Sequence, residues 1–425
     1  MLSSTPPVPT RLHYGWIVAG LTFLVLLVGA GVRATPGVLI VPWEREFGWS
    51  TATISGGIAL NIFLYGMIGP FAVAIIERFG LRRSVCTTLV VLAVGTAATV
   101  LMREVWQMVL LWGLVVGAGT GMVANVLGAT IAARWFGRHR GLVVGLLTAS
   151  AATGQLVFLP VLAHLAEGQG WRSVALTVAL AALALVPLVA WLMRDRPSDL
   201  GLPRFGETTV QPAPKGGINP ARRALQGLAT GLRSRDFWLL SGTFFICGAS
   251  TNGLIGTHLI PACIDRGIPA VTAAGVLALM GLCDLVGTTA SGWLTDRYDP
   301  RRLLAWYYGL RGLSLMFLPY SFDFSVYGLS LFAVFYGLDW IATVPPTVSL
   351  AGKVFGEENA ALMFGWIAAA HQIGAASAAW AAGAVRTGTG DYFSAFVSAG
   401  LLCIAAAMMA LFVGTRPREP VPVAA

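Results

Sequence analysis

The sequence predicts an all-α membrane protein with twelve transmembrane helices in two pseudo-symmetric bundles of six. Three observations predict it: a scarcity of charge, twelve apolar runs of spanning length, and short motifs that recur at one fixed offset. Of 425 residues, 56% are apolar and 11% charged. A soluble domain carries about a quarter charged residues. A chain this long with so few charges cannot cover a water-facing surface, whereas lipid demands no polar coat. The positive mean hydropathy, +0.75, agrees.

The net charge of +9 does not indicate nucleic acid, because the basic residues fall in short clusters between apolar runs instead of on one patch. The five cysteines (Cys86, Cys247, Cys263, Cys283, Cys403) show no C-x-x-C or Cys/His spacing, so no disulfide framework or metal site is signalled. No nucleotide loop or catalytic Ser/His/Asp arrangement stands out, and neither a cofactor nor enzymatic activity is expected. The short Pro/Ser-rich start, Met1 to Thr10, lacks the charge and cleavage site of a secretory signal, so the apolar run after it reads as the first membrane helix.

A spanning helix needs about 20 mainly apolar residues. Such runs lie at 14–43, 53–76, 83–102, 105–133, 141–166, 171–193, 236–264, 271–294, 303–321, 324–352, 360–385 and 392–414. The first, fourth, seventh and tenth are long enough to tilt or bend. The one long hydrophilic stretch holds Pro197, Pro203, Pro212, Pro214, Gly216, Gly217 and Pro220. The expected domains are therefore 1–193, a six-helix bundle; 194–235, a loop; and 236–425, a second six-helix bundle. Twelve spans put the termini and this loop on one side. That side then holds 21 Lys/Arg against 5 on the other (Arg45, Arg103, Arg172, Arg266, Arg386), with 2 inside spans. Positive charge stays in the cytoplasm, which predicts a bacterial inner-membrane protein with both termini inside.

The repeat is visible in three places, each pair 219 positions apart. Glu77-Arg78-Phe79-Gly80-Leu81-Arg82-Arg83 matches Asp296-Arg297-Tyr298-Asp299-Pro300-Arg301-Arg302. Arg134-Trp135-Phe136-Gly137 matches Lys353-Val354-Phe355-Gly356. Pro42, Glu46 and Gly48 match Pro261, Asp265 and Gly267. Parallel repeats of six spans place a substrate site between the halves near the bilayer midplane, with access alternating as the halves rock.

The acid-Arg-aromatic-x-x-Arg-Arg loops resemble the signature loop of the major facilitator superfamily; the second copy adds Gly292 four residues before Asp296, where the first has Val73. Within that superfamily the chain is similar to bacterial members of the monocarboxylate transporter and oxalate/formate antiporter group. Tyr14-Gly15-Trp16, Arg134 to Gly141, Arg196-Pro197-Ser198-Asp199-Leu200-Gly201 and Gly281-Leu282-Cys283-Asp284 carry the similarity. The resemblance implies that the two loops (Glu77, Arg78, Arg82, Arg83; Asp296, Arg297, Arg301, Arg302) lock the inward-closed state. It also marks two departures. Gly37 stands where many animal members have a lysine, and Thr288 where they have an arginine four residues after the eighth-helix aspartate.

Charges within spans are costly and so are candidates for function. They are Arg33, Asp284, Arg311 and Asp339. At about 1.5 Å per residue, Asp284 and Asp339 lie roughly 18 and 21 Å from the inner face, near mid-membrane. Arg33 is expected to contact an anion, since its guanidinium fork matches a carboxylate and stays charged; Asn252 is its match in the seventh span. Asp284 is expected to carry a proton, with permanent pairing to Arg311 as the bland alternative. Asp339 could bind proton or substrate or pair with Arg311, and the pairing is favoured because an unpaired charge in lipid is the costlier state; Arg311 itself reads as structural. Tyr65, Asn125, Gln155, His258 and His371 are further substrate-site candidates, each weighed against simple helix–helix hydrogen bonding; Asn61 is weighed in the same way. The stripe Gly113, Gly117, Gly119, Gly121 reads as close helix contact. The expected function is proton-coupled symport or exchange of a small organic anion, a mono- or dicarboxylate, by a monomer; the alternative is a proton-antiport exporter of drugs or metabolites.

Overall fold

The computed structural model describes residues 13–123, 125–210 and 220–414. Twelve long helical runs follow one another, beginning Tyr14–Phe47, Thr51–Phe79, Leu81–Leu101, Val105–Trp135, Arg140–Gln169 and Trp171–Leu192. The second six are Arg235–Asp265, Ala270–Thr295, Pro300–Ser321, the pair Ser325–Asp339 and Val344–Phe355, then Glu357–Thr389 and Phe393–Leu411. Among the described residues there is no strand, only one isolated bridge between Phe136 and Phe205. Among the described residues, nine helical stretches are long and apolar enough to cross a membrane by composition. Large apolar side chains stay exposed around the belt, with Trp106, Trp191, Trp306 and Tyr327 near helix ends, as expected of a lipid-facing surface with aromatic interfaces. The protein is a multi-pass membrane protein.

Several helices run past their apolar stretches because caps, not hydropathy, set their ends. Ser50 accepts from Thr53 N to start the second span, and Gly80 ends it at φ +87°. The second and eleventh helices therefore exceed the expected 53–76 and 360–385.

The long spans do bend, each for a local reason. Pro36 has no N–H to donate, so the first span breaks at Thr35, whose hydroxyl donates to Gly31 O (2.9 Å). The seventh is π-helical over Ala249–Ile255, and Thr257 Oγ1 donates to the carbonyl of Asn252 (2.8 Å). The fourth turns at Val123. The tenth is interrupted between Asp339 and Val344, just ahead of Pro345 and Pro346. Val123 and Ala342 are 219 positions apart, so the two breaks belong to the repeat.

The glycine stripe works as close contact. A Cβ on Gly117 would sit 2.8 Å from Asn61 Cα, one on Gly121 2.9 Å from Ile68, and one on Gly113 3.1 Å from Gly57 O. Those three pack the fourth span against the second, while Gly119 faces Leu92 of the third.

The first and second halves meet along two seams, second against eleventh and fifth against eighth. At the end that carries the signature loops, the segment after the sixth span folds back under the first half, with Phe205 N donating to Trp135 O (2.9 Å). A short loop helix, Pro220–Gly231, packs on both the second and eleventh spans, and Trp366 Nε1 donates to Ala224 O (2.8 Å).

Candidate functional site

A cavity of about 720 Å³, its open mouth included, lies between the halves. Arg33 comes from the first span, Asn61 and Tyr65 from the second, Asn252 and Thr257 from the seventh, and Gln372 from the eleventh. Ile58, Ile62, Leu159 and Leu277 supply apolar wall. The Arg33 guanidinium lies over the Tyr65 ring, 4.7 Å from its centroid. Such stacking orients the cation without neutralising it. Among the described residues that line the cavity, Arg33 carries the one formal charge.

The Thr35–Pro36 break positions Arg33, and the π-turn positions Asn252. Just outside them the first and seventh spans touch. A Cβ on Gly37 would lie 3.3 Å from Gly256 O, and these two glycines are themselves 219 positions apart. A lysine at 37 would have to force the seventh span away. The cation instead stands one turn earlier, below the contact.

This end of the cavity is sealed further by a cluster that the sequence did not single out. Arg386 of the eleventh span donates Nη1 to Glu44 of the first (2.6 Å) and, bidentate, Nε and Nη2 to Asp265 of the seventh (both 2.7 Å). Thr51 of the second span bonds both Glu44 and Arg386. Ala52 N donates to Thr387 Oγ1 (3.1 Å), and Val271 N to Glu167 Oε1 (3.3 Å) across the other seam. The repeat did not signal it: of the matched acids Glu46 and Asp265, Asp265 joins the cluster but Glu46 takes Arg172 Nη2 and Trp171 Nε1 (both 2.6 Å), and the unmatched Glu44 bonds Arg386 instead.

The opposite end, which carries the signature loops, is built differently. The inner halves of the fourth and tenth spans, Asn125–Trp135 and Val344–Phe355, are not a packed pair. The ion pair described among the signature loops stays within one loop, Arg301 Nη2 to Asp299 Oδ2 at 2.7 Å. Arg297 stacks on Trp293 (4.1 Å) and Arg78 on Phe79 (5.4 Å). Arg82 N is capped by Asp195 Oδ1 (2.8 Å). Glu77, Arg83, Asp296 and Arg302 form no described ion pair across the halves. In this conformation the cavity is closed at the end that carries the Arg386 cluster, and among the described residues the signature loops form no ion pair between the halves.

The intramembrane charges of the second half sit behind the cavity. Arg311 pairs with Asp339, Nε to Oδ2 at 2.7 Å, with both side chains buried. Asp284 is buried too, but its partners are neutral. Thr288 Oγ1 donates at 2.8 Å and Ile341 N at 2.9 Å, both to Oδ1. Thr288 thus fills the place where the resemblance expected an arginine. The permanent Asp284–Arg311 pair is not formed; Asp339 takes the arginine.

The remaining candidates divide. Tyr65 and Asn252 line the cavity. The side chains of Asn125 and Gln155 lie outside the described residues. His258 is fully buried away from the cavity, with both nitrogens engaged. Nε2 lies 2.7 Å from Ala379 O, so it carries the proton, and Nδ1 accepts from Tyr392 OH at 3.0 Å. His371 packs at a tilt against Phe244 (4.9 Å between centroids), and its neighbour Gln372 reaches the lining instead. Asn61 reaches the lining but also donates Nδ2 to Trp112 O (2.7 Å), the helix–helix bond weighed against it. Thr257 was missed because its spacing carries no signal once the π-turn shifts the register.

The family model described as the Major Facilitator Superfamily matches residues 21–379 and 282–425. The chain is similar to monocarboxylate transporter 13 of Bos taurus, 27% identical over 395 residues, covering 92% of this chain and 87% of that one. It is similar to the uncharacterised MFS-type transporter YcxA of Bacillus subtilis, 23% identical over 377 residues, covering 87% of each. Its structure resembles that of a bacterial homologue of the human lysosomal transporter Spinster in an inward-facing, occupied conformation, with a TM-score of 0.73, 15% identity, and 95% and 97% of the two chains covered. It also resembles the xylose transporter of E. coli in a partially occluded inward-open conformation, with a TM-score of 0.71, 16% identity, and 96% and 99% covered. At those identities the two structures speak for the fold alone. Twelve helices, the repeat, the cavity between the halves and the family match agree, and the chain belongs to the Major Facilitator Superfamily as a membrane transporter and not an enzyme.

Proposed function

We propose that this transporter carries a small organic anion, a monocarboxylate first and a dicarboxylate second, together with a proton. Access alternates as two bodies, 1–193 and 236–425, rock about the cavity, with 194–235 connecting them. The single observation that carries the reading is Arg33, the lone charge among the described residues of an otherwise neutral cavity lining. One guanidinium matches one carboxylate as a bidentate pair. Ile58, Ile62, Leu159 and Leu277 suit an apolar body attached to it. The relatives named monocarboxylate transporters support the same class. The protein works as a monomer in the bacterial inner membrane with both termini in the cytoplasm, as its basic loops suggest.

The proton is assigned to Asp284 in preference to Asp339. Protonating Asp339 would strip Arg311 of its counter-charge in an apolar interior, which is costly. Protonating Asp284 leaves no cation behind, because its partners are a hydroxyl and an amide.

Uptake of labelled monocarboxylates into proteoliposomes, with and without an inward proton gradient, tests this. Wild-type protein accumulates the anion when the gradient is present. Arg33→Gln loses a charged hydrogen bond of about 1.5–3 kcal/mol, roughly a ten- to hundredfold drop in kcat/KM. Normal uptake by Arg33→Gln would remove Arg33 from the site. Asp284→Asn retains exchange but no longer accumulates the anion; full accumulation by that variant would move the proton elsewhere.

A further inference from the structure

The break in the tenth span leaves polar backbone groups at mid-membrane depth, where no bulk water can replace a lost partner. Side chains from the eighth and ninth spans satisfy four of them. Ile341 N donates to Asp284 Oδ1 (2.9 Å), and Ala342 O accepts from Ser291 Oγ (2.5 Å). Asp339 O and Trp340 O accept from Arg311 Nη2 (2.5 and 3.2 Å), while Arg311 Nε holds the Asp339 carboxylate. From the seventh span, Cys247 Sγ lies 3.3 Å from Thr343 Oγ1 and accepts from Arg311 Nη1 (2.9 Å). Asp284, Ser291 and Arg311 are all buried.

The matched break at Val123 lacks these groups. Where the second half has Asp284, Ser291, Arg311 and Asp339, the first half has Tyr65, Ala72, Leu92 and Thr120. The tied joint also abuts the substrate cavity. The Trp340 ring reaches within 4.0 Å of the point where a Cβ on Gly256 would stand, and Gly256 lines the cavity.

We infer that Asp284, Ser291 and Arg311 are positioning residues that fix 339–343 as a joint, so that Val344–Phe355 moves as a rigid inner lever. In this role Asp284 acts as a hydrogen-bond acceptor, for which its charge is not required. The inference extends the transport reading, because the same carboxylate both ties the joint and is proposed to carry the proton. An asparagine separates the two tasks: its side-chain oxygen can still accept from Ile341 N, yet it cannot titrate.

Hydrogen–deuterium exchange of the purified full-length protein in lipid nanodiscs, read on peptides covering 339–344, tests the joint without any substrate. A wrong substrate class therefore cannot disguise the outcome. Asp284→Asn is expected to keep exchange within about twofold of wild type. Asp284→Leu is expected to speed it at least tenfold, with the eleventh and twelfth spans unchanged. Where the leucine variant does not fold, Asp284→Ala replaces it with the same expectation. Thr288→Val, which removes the other donor to Asp284 without touching the break, is expected to leave these peptides unchanged. Protection that survives in the leucine or alanine variant overturns the inference, and so does an asparagine variant that exchanges as fast as leucine.

Discussion

The two bundles share one backbone plan but distribute charge in opposite ways. In the first half the intramembrane charge, Arg33, faces the cavity and rests on an aromatic ring. In the second, the cavity positions are neutral (Asn252, Thr257, Gln372), and Asp284, Arg311 and Asp339 are buried behind them. Asp284 and Tyr65 occupy matched positions. A ring under the cation in one half is therefore a helix-break ligand in the other. Equivalent places in a repeat need not do equivalent work. What a charge can do depends on whether its surroundings already consume its hydrogen bonds. Arg33 keeps its donors available to a ligand, while Arg311 spends Nε, Nη1 and Nη2 on protein acceptors.

The largest effect expected from that contrast is on stability. Arg311→Met leaves the Asp339 carboxylate and two carbonyls without their partner in the interior. Breaking one side of a buried pair costs about 3–5 kcal/mol. Thermal unfolding in detergent should show a steep fall, with Arg311→Met/Asp339→Leu recovering the charge part but not the orphaned carbonyls. Arg33→Gln should stay within about 1 kcal/mol of wild type, as ordinary substitutions away from buried networks do. Equal losses at both arginines would erase the distinction between a cavity charge and a structural one.

Most of the fold was legible because lipid imposes a simple rule: apolar length finds the spans, and a single offset finds the repeat. Arg33, Tyr65 and Asn252 were legible for the same reason, since polar groups within apolar runs stand out and the offset links two of them. The pairings were only partly legible. The cost of an unpaired charge favoured Arg311 with Asp339, and that pair is formed; what the sequence does not show is the tenth-span break, which turns the Asp339 and Trp340 carbonyls toward the ninth span. His258 looked available because it is polar, and its two partners are 121 and 134 positions away. Arg386 was read as a loop residue because it ends a span, yet three other spans converge on it.

The closed end of the cavity offers a way to sharpen the comparison, because there the halves meet through the matched glycines Gly37 and Gly256 and through Arg386, which holds both Glu44 and Asp265. Arg386→Gln removes the bond to Glu44 and the bidentate bond to Asp265, and Gly37→Val inserts a side chain where the first and seventh backbones touch. Both should shift the population toward an outward-open state. With Cys86 and Cys283, the two partly accessible cysteines, changed to serine, a cysteine introduced by Asn252→Cys reports the opening. Labelling by a membrane-impermeant thiol reagent from the outside should rise several-fold in either variant. A shift of about 1 kcal/mol in the equilibrium corresponds to a fivefold change. Unchanged labelling in both would mean that the seams, not the Arg386 cluster and the glycine contact, hold the outside shut.

The smallest expected effect lies at the inner end of the second half. Asp299 begins the ninth helix, where Oδ1 accepts from Arg301 N (3.0 Å), and its carboxylate also takes the Arg301 guanidinium. That guanidinium holds the Asp299 carboxyl below the usual carboxylate range. A lowered folded-state value stabilises the protein above the ordinary aspartate pKa of about 4, and the contribution disappears as pH falls through the folded value. The pair is partly exposed, so the contribution is a few tenths of a kcal/mol, in the range of surface pairs. Asp299→Asn keeps the cap but not the charge and should flatten the acid limb slightly, whereas Asp299→Ala loses both and should cost about 1 kcal/mol at all pH values. Melting curves collected between pH 3 and pH 7 separate the two. If asparagine costs as much as alanine at neutral pH, the ion pair and not the cap is what starts this helix.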